Sequence, residues 1–319
     1  MQRSPTEKFS AEDRYLSRFN SFFNSEKLSS TYKPVFVKSL IPISEYDDQN
    51  MYALIGYQWV RKEQDKLKVD LNFIAVRYIK FYWELYFKFK LRQSHTPQDV
   101  NINKILEKQN DHPKTPTLKT LASDEFSDLR KQVIMNSIKP EVLVHLDAQN
   151  DLYTRISGED SIWMNFSLVS FFRKYKDILI PATNFMITRY LEKINFIPRV
   201  AEKVSGYIPR DDLAKEEWII LTKIDPLCFY CKKKPGIRKD HVIPFNYIFQ
   251  TEIFNIVPAC AQCNSIKSDK LPTKDFFNKV KDRNKTLKLR TDYTEDWYQK
   301  LYETCITSYH GTRPYFMPD

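Results

Sequence analysis

The strongest periodic signal in the chain runs from about residue 69 to residue 92. In "LNFIAVRYIKFYWELYFKFKLRQS", Leu71, Ile74, Tyr78, Tyr82, Leu85 and Phe89 recur at spacings of three and four, the period of a buried helical face. Phe81, Trp83 and Phe87 fall off that stripe, so the expected helix is contacted on most sides and sits centrally. Rings interleaved with lysines also fit base stacking with phosphate contact. Core packing is the stronger reading, because lysine stems can cover apolar surface while their ammonium groups reach water.

Helical patterning recurs over residues 15–23, 124–138, 140–146, 163–179 and 182–194. A further helix is expected within residues 207–224, with Asp211 or Asp212 as its cap. Between these blocks, residues 93–123 are polar, carry Pro97, Pro113 and Pro116, and predict a loop. Pro198, Gly206 and Pro209 interrupt the chain again and suggest a boundary at 210. The expected organisation is a helical domain over 1–210, a compact module over 211–290, and a C-terminal helix and tail over 291–319.

A hydrophobic fraction of 42% is that of a globular protein, and only five glycines in 319 residues argue against an all-β fold rich in tight turns. There is no run of 18 apolar residues and no signal-peptide pattern at the start, so neither a membrane partner nor export is expected; a cytoplasmic location follows. The net charge of +10 favours a polyanionic partner, with nucleic acid the commonest; a basic surface kept for solubility competes with that reading. Five cysteines in a reducing compartment point to metal binding rather than disulfides.

Four of those cysteines form two knuckles, Cys228-Phe-Tyr-Cys231 and Cys260-Ala-Gln-Cys263. Four thiolates on two such knuckles can surround one tetrahedral Zn²⁺, and four protein ligands leave no open position for water, so the zinc is expected to be structural. Inside the insert, Asp240-His241 precedes the apolar run Val242, Ile243 and Pro244, which predicts a strand. Asn255 opens a second strand-like run in "FNIVPAC". Asn264 follows the last cysteine on an expected helix through Lys270, with Lys267 on nearly the same helical face.

That order of Cys-x-x-Cys, Asp-His-x-x-Pro, Asn and Cys-x-x-Cys-Asn-x-x-Lys resembles the HNH nuclease family over roughly residues 228–271. Helical patterning gives a mainly α N-terminal domain, and the resemblance joins to it a small α+β domain with the ββα-metal fold and a structural zinc site of four cysteines. DNA recognition, regulation or dimerisation is then the expected role of the N-terminal domain. The resemblance also implies a phosphodiester hydrolase with His241 as general base and Asp240 and Asn264 holding Mg²⁺ or Mn²⁺ through oxygen ligands. Asn255 would tie the hairpin together. Asn264 stands where some members carry His, which makes this an HNN variant and favours Mg²⁺ or Mn²⁺ over a catalytic zinc.

Lys267 is a candidate for substrate phosphate, against a solvated helix lysine. The basic runs flanking the motif (Arg210, Lys232, Lys233, Lys234, Arg238 and Lys239 before it; Lys279, Lys281, Arg283, Lys285, Lys288 and Arg290 after it) fit phosphate neutralisation, with Arg238 and Lys239 as the nearest substrate contacts. The layout is similar to restriction-type and other anti-phage defence nucleases. DNA is then the expected partner, with a homodimer and a methyltransferase or other defence subunit as further candidates. A zinc-stapled nucleic-acid-binding module without cleavage, and a nonspecific or RNA-directed toxin nuclease, are the alternatives.

Overall fold

A computed structural model describes residues 10–25, 28–50, 53–94, 101–109, 115–143, 152–208, 211–287, 289 and 293–309. Two compact units divide the chain: Met1–Lys88 with Arg92–Ile194, and Phe89–Leu91 with Asn195–Asp319. The division falls at Ile194, ahead of residue 210, because Phe196 and Ile197 already pack against the core of the second unit. Among the described residues, no helix is long and apolar enough to cross a membrane.

The first unit holds helices α1 (Ala11–Ser25), α2 (Tyr32–Leu40), α3 (Leu71–Trp83), α4 (Asn101–Glu107), α5 (Leu118–Leu121), α6 (Ser127–Val133) and α7 (Phe166–Ile194). Asp70 caps α3 by accepting from the Asn72 amide, and the helix buries ten of its side chains, Leu71, Ile74, Tyr78 and Tyr82 among them. It then widens into a π-helical turn over Glu84–Lys88. The burial on most sides expected from the aromatic pattern is what the packing shows.

Three local expectations for this unit differ from the structure. The polar stretch 93–123 contains α4, whose Ile102, Ile105 and Leu106 are buried apolar anchors, and α5, capped by Thr117. Residues 95–100, 110–114 and 144–146 lie outside the described residues. Residues 163–165, expected to begin a helix, belong instead to a strand over Ser161–Asn165, because Ile162 and Met164 alternate inward. That strand, β4 (Ser161–Asn165), belongs to an antiparallel sheet with β1 (Val60–Glu63), β2 (Lys66–Asp70) and β3 (Thr154–Arg155) in the order β1-β2-β4-β3. Leu67 faces Met164 and Val69 faces Ile162 in register, which gives the sheet one apolar face. Finally, α7 runs unbroken through Pro181.

The second unit contains α8 (Val200–Ser205), α9 (Lys215–Ile224), β5 (Arg238–His241), α10 (Phe245–Ile248), β6 (Ile256–Ala259), α11 (Ala261–Lys267), α12 (Lys274–Asn284) and α13 (Glu295–Tyr309). Strands β5 and β6 form an antiparallel hairpin pairing Asp240 with Val257 and His241 with Ile256. The strand expected over 242–244 ends instead at His241. Beyond it, the Val242 and Ile243 amides are taken by Asn255, and Pro244 starts α10. Helix α9 begins at Lys215 with Ala214 as its cap residue, while Asp212 accepts the Lys239 ammonium at 2.8 Å.

One core joins the hairpin to the last two helices. Val242, Ile243 and Val257 pack with Phe277, Tyr298, Leu301 and Tyr302, and the Phe277 and Tyr302 rings stack at 3.9 Å. Gly236 marks a close approach. A Cβ there would lie 2.5 Å from the Pro258 Cβ and 3.2 Å from the Leu227 carbonyl oxygen. Replacing Gly236 with Ala should therefore destabilise the second unit by about 1–3 kcal/mol through overpacking. Urea unfolding of the full chain measures it, and an unchanged midpoint would contradict this packing.

Candidate active site

The two knuckles bring Cys228, Cys231, Cys260 and Cys263 together, with every pair of sulfurs within 4.8 Å. The Cys260 sulfur caps α11 by accepting the Cys263 amide at 3.4 Å. The Lys233 amide and neighbouring groups lower the Cys231 thiol to about 6, while burial and the other thiols push Cys263 up. Four clustered thiols can all ionise only around a cation, and all-sulfur tetrahedral coordination is the chemistry of a structural zinc site.

Near this staple, a cleft of about 490 Å³ is lined by residues that include Asp240, His241, Phe245, Asn246, Asn264 and Asp269. Asp240 and His241 come from the end of β5, and Asn264 comes from the first turn of α11. The hairpin and the helix therefore contribute residues from two separate elements to one cleft. His241 places Nε2 at 3.2 Å from the Thr251 hydroxyl, with its ring edge-on to Phe245 at 5.3 Å. Burial, reinforced by the Lys267 charge, lowers its pKa to about 4, so the imidazole is neutral at neutral pH. Among the described residues, the side-chain amide of Asn264 makes no hydrogen bond, and its backbone N–H and C=O serve the helix.

Asp240 is 4% exposed and sits at the centre of a buried network. Its Oδ2 accepts from the Tyr230 hydroxyl at 2.5 Å and lies 3.2 Å from the Lys267 ammonium as an ion pair, and its Oδ1 accepts from Lys267 at 3.5 Å. Burial pushes the Asp240 carboxyl up, and Lys267 and Tyr230 pull it back. A carboxylate offers about four lone-pair sites, so one remains on Oδ1 for a cation. Asp240 and Asn264 thus fit a hard divalent ion that keeps several of its waters.

Lys267 is placed differently from the substrate contact expected of it. It is completely buried and donates to the His241 carbonyl at 2.5 Å as well as to Asp240. An ammonium group enclosed in this way cannot reach a phosphate; it links α11 to β5. Asn255, also completely buried, donates to the Ile243 carbonyl and accepts from the Ile243 amide, both at 2.9 Å. It stands behind the cleft wall.

The basic runs are also largely committed. Lys239 lines the cleft but holds Asp212 and the Leu213 carbonyl, and Lys232 pairs with Asp225 at 2.7 Å. Lys234 bonds Gln262, Lys281 and Lys285 face Glu295, and Arg283 is buried against backbone carbonyls. Arg238 and Lys233 remain exposed without a side-chain hydrogen bond or ion pair among the described residues, while Arg210, Lys288 and Arg290 lie outside them. Tyr230, Thr251 and Phe245 are site residues that the motif pattern does not reveal. Only Tyr230 carries a signal, as an aromatic lodged between two cysteine ligands.

Residues 228–270 match the family model for the HNH endonuclease, which places an HNH endonuclease domain in this chain. Comparison with curated proteins and with solved structures gives no match.

Substituting Lys267 with Met would leave Asp240 buried without its counter-charge. Stability should fall by about 3–5 kcal/mol, and pairing the change with Asp240→Asn should recover part of that loss. Guanidinium unfolding of wild type and the two variants checks this; a Lys267→Met chain as stable as wild type would show that the ion pair is not buried as described.

Proposed function

We propose that the HNH domain hydrolyses phosphodiester bonds in DNA, with His241 as general base, Asp240 and Asn264 holding Mg²⁺ or Mn²⁺, and the four cysteines holding a structural Zn²⁺. The observation that carries this reading is the meeting of a neutral imidazole, a carboxylate with a free lone pair on Oδ1 and an unpartnered amide oxygen in one cleft. Neither a binding module nor a structural zinc domain needs that combination. The net charge of +10 and the exposed Arg238 suit a polyanionic substrate.

His241 accepts a proton from water as the water oxygen attacks phosphorus, and the bond from phosphorus to the leaving oxygen breaks. Thr251 fixes the imidazole plane, so the ring meets the water without reorienting. Lys267 holds Asp240 in position and, through the His241 carbonyl, holds the backbone that carries the base. A bound divalent cation supplies positive charge for the phosphorane and the leaving oxygen. Asn264 presents its amide oxygen from the rigid start of α11, next to the cysteine staple. A role in restriction or anti-phage defence is the biological setting that we attach to this chemistry.

Cleavage assays on duplex DNA, single-stranded DNA and RNA with Mg²⁺ or Mn²⁺ test the reading. Wild type should cut duplex DNA, and His241→Ala should lose about 10²–10⁴-fold in rate, the usual contribution of a general base. EDTA should abolish cleavage, and added Mg²⁺ should restore it while the zinc content stays at about one per chain. Equal cutting by the two proteins would remove His241 from the mechanism, and binding without cutting would leave a zinc-stapled binding module. Preference for RNA would reassign the substrate.

A further inference from the structure

Helices α12 and α13 lie beyond the segment that matches the family, yet their polar side chains reach the strand turn of the hairpin. We infer that Tyr298, on α13, is a positioning residue of the cleavage site: it fixes Asn255 and, through Asn255, the backbone that carries His241. The inference rests on the nuclease reading for its effect on rate, while the positioning itself can be measured without cleavage.

The connection runs through short, fully buried contacts. The Tyr298 hydroxyl donates to Asn255 Oδ1 at 2.9 Å, and both side chains are completely buried. That oxygen also accepts the Ile243 amide at 2.9 Å, so its two lone pairs are used. Asn255 Nδ2 donates to the Ile243 carbonyl, and the Asn255 backbone carbonyl accepts the Val242 amide, each at 2.9 Å. One asparagine thus holds the two residues after His241 by three hydrogen bonds, and a tyrosine 43 residues further on holds the asparagine.

The turn carrying Asn255 is clamped from the same side. The Arg283 guanidinium donates to the carbonyls of Ile256 at 2.7 Å, Ile253 at 3.2 Å and Phe254 at 3.3 Å. Asn284 adds a bond to the Phe254 carbonyl at 2.9 Å, and the Phe254 ring packs against Tyr298 at 5.3 Å. Arg283 and Asn284 therefore fix where the turn sits, and Tyr298 fixes the asparagine amide within it. A loosened tether would let the imidazole drift from the attacking water, and misplacement on the scale of an ångström is enough to slow a reaction greatly.

Tyr302 provides a matched control. It lies one helical turn further along α13, is 1% exposed, and donates to the Pro272 carbonyl at 2.8 Å rather than to Asn255. Tyr298→Phe removes the bond to Asn255, Tyr302→Phe removes the bond to Pro272, and both keep the ring. In the full-length zinc-loaded protein, Tyr298→Phe should raise amide exchange at Val242 and Ile243 about tenfold and lower kcat about tenfold, with KM within about twofold of wild type. Tyr302→Phe should lower the melting temperature comparably while leaving both readouts within about twofold of wild type.

If the two variants match in exchange and in kcat, Tyr298 is merely structural and the inference is overturned. If exchange separates them but wild type cuts no DNA, the positioning stands and the nuclease reading falls.

Discussion

The geometry of the cleft depends on one buried ammonium group. Lys267 is enclosed with the Asp240 carboxylate and the His241 carbonyl, shut off from bulk solvent. Removing two ions from water costs several kcal/mol each, so such a pair is tolerated only where its geometry is good and its remaining hydrogen bonds are satisfied. Tyr230 meets that condition for Asp240, and the backbone carbonyl meets it for Lys267. The pair locks the N-terminal strand of the hairpin to the helix that follows it. With that lock in place, the side chains of His241 and Asn264, which come from different elements, line one cleft.

A hairpin and one short helix bury too little apolar surface to hold such a pair by themselves. Two devices add rigidity. The four cysteines tie the two knuckles at one end of the hairpin. At the other end, α12 and α13 supply Arg283, Asn284 and Tyr298 to the turn, and Phe277 and Tyr302 to the core beneath it. The working unit of this protein is therefore larger than the segment that matches the family, and helices α12 and α13 form part of it.

What can be read from the sequence follows from distance along the chain. The cysteine knuckles, Asp240-His241 and Asn264 are legible because metal-ligand spacing is a local property and a hairpin brings its own flanks together. The aromatic helix at residue 71 is legible because its period is long and strict. The place of Lys267 is not. Its spacing from Asn264 puts it on the same helical face, but burial depends on what packs there, and Asp240 lies 27 residues away. Tyr298 and Arg283 give no local sign for the same reason. Strands β1, β2 and β4 escape the pattern because alternation over four or five residues is too short to stand out. Asp212 has the position of a cap in the sequence, yet its partner is Lys239.

Anomalous diffraction from crystals of the zinc-loaded protein soaked in Mn²⁺ tests the central claim most directly, because zinc and manganese are separated by their absorption edges. The account predicts zinc among the four sulfurs and manganese in the cleft, ligated by Asp240 and Asn264 and by waters, with Lys267 still bonded to the His241 carbonyl. Manganese found elsewhere, or a cleft that takes none while zinc fills the cysteine site, would contradict it.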